Sequence, residues 1–357
     1  MALDVSGHYR YPPPEPSWLA LHVEDVLCPE LPIIDPHHHL WIEDGKPYLG
    51  LEIMEDLKSG HRIESTVFVQ AHYGYRSDLP PELAPVGETE KVRAISASCH
   101  EVGCRTRVAE GIVAFADLTL GSNVEHVIAA HAIAADGALR GVRHGVSRDS
   151  NFPDGIVVRP APAGLLKHDR YREGLRVLQQ FGLSYDAMLY HEQISELSDL
   201  AMAMPDLPII LDHMGTMLGV GPYETTRNET FAQWRHDMAE LARSENVTVK
   251  IGGMGMIICG ARWHERARPP SSDELAADWR SQVETCIELF GAERCMFESN
   301  FPVDKAMYSY RTLWNAFKRL TSGASINERE ALFAGTAART YRIAIPAKAA
   351  HAETSHV

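Results

Sequence analysis

The chain has 357 residues, 45% of them hydrophobic and 23% charged, an ordinary globular composition with enough length for a large core. A formal charge of −14 argues against nucleic-acid binding, which usually needs a basic stripe, yet leaves room for a small anionic substrate held by a few local arginines. No apolar run reaches the roughly 18 residues of a membrane span, no secretion signal opens the chain, and the six cysteines lack a CxxC pair, so the expected location is cytoplasmic, with no membrane partner.

Residues 1–30 contain Pro12, Pro13, Pro14 and Pro16 and are expected to form an arm with a short helix around Trp18 to Val26. Beyond the arm, apolar β-branched runs recur at Leu31–Asp35, Ser65–Gln70, Val108–Ala116, Leu139–Arg143, Leu183–Leu189, Leu207–Asp212, Val247–Ile251 and Arg294–Glu298. Helical patterns between them include Tyr171–Phe181, His191–Met204, Asn228–Ser244, Ser272–Phe290 and Tyr308–Leu320. Eight strand–helix units predict an α/β fold, a (β/α)8 TIM barrel filling residues 31–345 as a single domain. An open doubly wound sheet is disfavoured, because no glycine-rich dinucleotide fingerprint follows the first run. A long excursion after the seventh strand, residues 254–278, carries Arg262, Trp263, His264 and Arg266. It reads either as a lid over an anionic substrate or as an oligomer contact, which leaves a homo-oligomer open. The tail, residues 346–357, is small and polar and is expected to fray.

In such a barrel the chemistry collects where the strands end. After the first strand, His37 and His39 are two apart on extended chain and project to one side, suiting a divalent cation or the polarisation of a carbonyl; His38 should point away and serve structure. His72, after the second strand, reads as a solvated loop residue. Arg143 ends the fourth strand, with Arg148 beyond it, and guanidinium groups there can grip a carboxylate. The fifth strand leads to Tyr190, His191 and Glu192, and the sixth is an apolar run closing on Asp212 and His213, polar groups that are costly to bury without partners or a task. Lys250 stands alone inside the seventh strand and must face either the lumen or a carboxylate in the helical shell. The eighth strand ends in Glu298, Asn300 and Asp304, several groups able to exchange a proton or hydrogen-bond at the mouth.

Together the segments IIDPHHHLW, LRGVRHGVS, IILDHMG, VKIGGM and MFESNFPV resemble the amidohydrolase superfamily, in particular the branch with pyrone dicarboxylate lactonase and the sugar-acid lactonases. They stand in the family's order and span roughly residues 31 to 304. The resemblance implies that His37, His39 and His213 bind a metal or the substrate, and that a carboxylate at the end of the eighth strand activates water. That carboxylate normally sits in a Gly-Ser-Asp-Trp-Pro-like motif, and here its place is taken by Asn300, so Asp304 or Glu298 would have to substitute. The usual fifth-strand histidine is also missing from register, Tyr190 holding the more inward position. One zinc-like divalent ion is therefore expected rather than two, and a metal-independent site is kept open.

The resulting expectation is a hydrolase of a lactone or similar ester-like bond in a small carboxylated substrate. Arg143, with Tyr190 and Arg148, would hold the substrate; the three histidines would polarise its carbonyl; Asp304 or Glu298 would activate water; and Lys250 would stabilise developing negative charge. Two rivals remain, a metal-dependent non-oxidative decarboxylase of an aromatic acid and a barrel that has lost catalysis and binds a metabolite.

Overall fold

A computed structural model describes residues 11–152, 155–156 and 160–345. Its main sheet has eight strands: β1 (Pro32–His38), β2 (Arg62–Val69), β3 (Arg107–Ala114), β4 (Leu139–Val142), β5 (Ser184–Ala187), β6 (Ile209–Leu211), β7 (Val247–Ile251) and β8 (Cys295–Phe297). They pair in chain order and always in parallel. The cylinder closes just past β8, where His39 N–H donates to Phe301 O at 2.7 Å and Asn300 N–H to His37 O at 2.9 Å. A helix follows each strand: α1 (Gly50–Leu57), α2 (Val86–Glu101), α3 (Glu125–Ala135), α4 (Asp169–Gln180), α5 (Ile194–Ala203), α6 (Arg227–Leu241), α7 (Ser272–Phe290) and α8 (Tyr310–Leu320), after which the last helical turns run from Ile326 to Tyr341. This is the predicted (β/α)8 barrel.

Each predicted run overlaps a strand, but several strands stop early. β6 ends at Leu211 rather than Asp212, since His213 and Met214 both adopt a φ of 53°, outside any ladder. β8 likewise ends at Phe297, one residue before Glu298. Helix ends were clearer where caps exist. α7 matches its prediction at both ends because Ser271 and Glu274 form a reciprocal capping box and Gly291, at φ 74°, stops the helix. The helix expected around Trp18 to Val26 is instead the single turn Pro16–Leu19. The first ten residues of the arm and the tail from residue 346 lie outside the described residues.

Two apolar layers bracket the lumen. Below, Ala334, Ala337 and Tyr341 from the last helical turns pack against Ile34, Val113, Ile210 and Met296 of the strands. Above, at the strand C-terminal ends, Tyr190, Leu218, Val220, Met256, Ile258 and Val303 form a cluster, against which Tyr11 of the arm and Trp41 pack. Polar groups held between these layers are shielded from bulk water, which strengthens every charge contact among them. Among the described residues, no helix is long and apolar enough to cross a membrane.

Candidate active site

The imidazoles of the first and sixth strands do meet. Ring centroids are 4.9 Å apart for His37 and His39 and 4.6 Å for His37 and His213. The alternation of β1 directs His37 and His39 together, while His38 turns outward to Thr66 Oγ1 at 2.8 Å and serves structure. Trp41 stacks on His39 at 5.3 Å and fixes its plane.

The remaining contacts assign ring protons. His39 Nδ1 lies 2.8 Å from the carbonyl of Val69, so Nδ1 carries the hydrogen and Nε2 a lone pair. His37 Nδ1 lies 2.8 Å from Glu298 Oε2 and 3.3 Å from Lys250 Nζ, and the nearer carboxylate oxygen favours the proton on Nδ1. The two Nε2 atoms then face each other across 3.3 Å with lone pairs on both sides. Such a pair calls for a positive centre between its members. Two nitrogens bound to one zinc-like ion at about 2.05 Å with a tetrahedral angle would be about 3.3 Å apart. The donor atoms of His37, Asp212 and His213 also lie within 4.8 Å of one another, and both Asp212 oxygens, fully buried, lack a hydrogen bond of good geometry. The donor set therefore fits one divalent ion on His37, Asp212 and His213, with His39 Nε2 beside it, 3.3 Å from His37 Nε2.

Beneath the histidines lies a buried charge network. Lys250 faces the lumen, with Nζ donating to Asp186 Oδ2 at 2.7 Å and lying 3.0 Å from Asp212 Oδ1. Burial disfavours its ammonium, but the two carboxylates outweigh this and hold its pKa above the ordinary lysine value. Asp212 is held below the usual carboxylate range, where Lys250, His213 and Arg143 overcome the effect of burial. Arg143 joins the cluster, its Nη2 donating to Gln70 O at 2.6 Å and its Nη1 lying 3.5 Å from Asp212 Oδ2 and 3.4 Å from His37 Nε2.

Glu298 sits between two imidazoles, with His213 Nδ1 at 2.6 Å and His37 Nδ1 at 2.8 Å. Burial raises its pKa, but the two imidazoles prevail and bring it down to about 2. In return, Glu298 lifts His213 above the ordinary imidazole value against the effect of burial, while burial and the Lys250 ammonium push His37 well below it. Asn300, at φ 55°, has left the strand, and its amide donates to Asp304 Oδ1 at 2.9 Å. Asp304 Oδ2 accepts from Tyr308 OH at 2.6 Å and Gly255 N–H at 3.0 Å. Burial raises Asp304 to about 6 despite these donors.

Two candidates lie apart from this cluster. Arg148 spends its guanidinium on Ala161 O, because the chain after β4 turns away from the lumen. Tyr190 belongs to the apolar layer over the mouth, where its side chain is buried. His72 pairs with Tyr75 OH at 2.8 Å. Sequence reasoning missed Asp186 and Tyr341, whose hydroxyl donates to Asp186 Oδ2 at 2.6 Å. Asp186, a lone acid in an apolar strand, carried the same signal as Lys250; Tyr341 carried none.

The amidohydrolase family model matches residues 34–343. The protein y4mH of Sinorhizobium fredii is 33% identical over 337 residues, covering 88% of this chain and 99% of its own. L-fucono-1,5-lactonase of Burkholderia multivorans is 26% identical over 335 residues, covering 88% of this chain and 98% of its own. A crystal structure of an amidohydrolase from Burkholderia multivorans with bound zinc superposes with a TM-score of 0.63 at 21% identity, over 87% of this chain and 99% of that one. With the motif order, the barrel and the match across nearly all of it in agreement, this chain belongs to the amidohydrolase family.

Proposed function

We propose that the protein hydrolyses a lactone or similar ester-like C–O bond in a small carboxylated substrate. The observation that carries this reading is the facing pair of His37 and His39 Nε2 atoms, at a mouth that also holds Asp304, whose carboxyl burial raises to about 6. A scissile carbonyl oxygen seated against that pair meets the Arg143 guanidinium, which offsets charge developing on the oxygen. A divalent ion held by His37, Asp212 and His213 would act as a Lewis acid on that carbonyl.

Asp304 is the proton acceptor in this scheme. Its Oδ2 is filled by two donors, whereas Oδ1 has only the Asn300 amide and keeps a lone pair for water. Asn300 cannot take the proton itself but orients the group that does. Without an ion on its ring, His213, whose pKa Glu298 raises, supplies a proton to the departing alkoxide, and Glu298 stabilises the imidazolium before and restrains the ring after. Lys250 acts one layer below by keeping Asp212 ionised, rather than by touching the substrate. Support from relatives is the lactonase activity in the name of the Burkholderia multivorans protein.

A panel of small carboxylated lactones, followed by acid release and by CO₂ release on protein of known metal content, tests the reading. Acid release without CO₂ is expected; CO₂ release would replace hydrolysis with decarboxylation, and neither product would leave a binding protein.

A further inference from the structure

The apolar layer under Tyr11 covers the mouth from above, but a cavity of about 370 Å³ reaches His213 from the side, between α6, α7 and the excursion after β7. That volume lies in the range of small-molecule sites. Its wall carries three arginines in unequal states. Arg262 is paired with Glu224 at 3.3 Å and Arg266 with Glu274 at 3.4 Å, the latter also stacked 3.9 Å over Trp263. Arg227 has no ion pair and no hydrogen bond among the described residues. Its guanidinium rests on Gly260, where an added Cβ would come within 2.2 Å of Nη2, so the glycine provides its seat. Among the described residues Asp278, also on the cavity wall, has no ion pair at contact distance, although the charges of Arg227 and Arg266 act on it, and the indole N–H of Trp279 is buried without an acceptor.

We propose that this side cavity is where the substrate's acid group docks: Arg227 binds a carboxylate and Asp278 accepts from a hydroxyl of the same small hydroxylated acid, while its reactive end lies toward His213. The inference rests on the hydrolase reading for its catalytic consequence, though not for binding itself. Arg143 lies outside this cavity's wall, with Gln70 and Asp212 at the reacting carbonyl, which leaves Arg227 as the arginine of the cavity wall without an ion pair or hydrogen bond among the described residues. A guanidinium grips a carboxylate through two parallel N–H bonds, a geometry lysine cannot reproduce.

Calorimetric titration with citrate, a hydroxylated acid, reads the site without turnover. Wild type is expected to bind, Arg227→Met to bind at least about tenfold more weakly, Arg227→Lys to fall between, and Arg243→Gln, at an exposed ion pair elsewhere, to match wild type. In kinetics, Arg227→Met should raise KM for a carboxylated lactone by a similar factor with a far smaller change in kcat, and should lose preference for the acid over its methyl ester. Equal citrate binding by wild type and Arg227→Met, or no binding by wild type, overturns the proposal. Arg227-dependent citrate binding in a protein that hydrolyses no lactone upholds this site and removes the hydrolase reading.

Discussion

Two carboxylates, one and seven residues beyond β8, have been driven in opposite directions by their neighbours. Glu298, between two imidazoles, falls to about 2, whereas Asp304, among neutral donors, rises through burial to about 6. The fold therefore binds the Asp304 proton more tightly than the unfolded chain does, where the group titrates near 3.8. Its stabilising contribution is complete below that unfolded value and is lost as pH rises through about 6, a difference on the order of 3 kcal/mol. Activity should move the other way, with kcat/KM rising through about pH 6 as the base ionises. Asp304→Asn should abolish that limb and lower kcat by about a hundredfold or more. It should also gain stability relative to wild type between pH 4 and pH 7, because the asparagine has no charge to bury. A pH–rate profile with urea unfolding at both pH values checks the two effects together, and an unchanged acid limb in the variant would remove Asp304 as the base.

At the scale of elements, the end of β7 explains how Glu298 and His213 come so close. A Cβ at Gly252 would lie 2.3 Å from Glu298 Cγ and 2.7 Å from its carbonyl oxygen, and one at Gly253, where φ is 70°, would lie 2.7 Å from the His213 ring. The Gly-Gly pair is therefore the space into which the dyad fits. Gly252→Ala should displace Glu298 from both imidazoles and destabilise the fold by about 3 kcal/mol, combining overpacking with a disrupted buried ion pair. Gly323→Ala, where nothing lies within 4 Å of the added carbon, should stay within about 0.5 kcal/mol of wild type in the same urea titrations. This level was only partly legible in the sequence. Apolar runs disclosed all eight strands, because a strand buried on both faces needs an unbroken apolar stretch. Their ends were not disclosed, since the polar residues at the mouth leave the ladder through positive φ angles at His213 and Asn300 that no pattern of hydrophobicity encodes. The placement of His37, His39 and His213 followed from strand alternation and chain order; that of Arg148 did not, because a loop decides it.

Across the whole molecule, the candidate active site is tied to the opposite end of the barrel. Tyr341, from the helix that plugs the bottom, reaches Asp186 across 155 positions of sequence, and Asp186 in turn holds Lys250, which holds Asp212 beneath the histidines. No local reading of the last helix could show this, because the partner is chosen by closure of the barrel. The chain of contacts predicts a particular pattern of coupling. Tyr341→Phe should cost about 1–3 kcal/mol, as a buried carboxylate loses a donor. Asp186→Asn should cost more, since it leaves the Lys250 ammonium with less opposing charge. In the double variant the losses should fall short of additivity by about 1 kcal/mol, because each change removes the same hydrogen bond, whereas Tyr341→Phe with Arg227→Met should be additive within about 0.5 kcal/mol. Unfolding free energies for both cycles measure the difference. Additivity in the first cycle would mean that the plug and the charge network are energetically separate, and that the lower end of the barrel contributes packing alone.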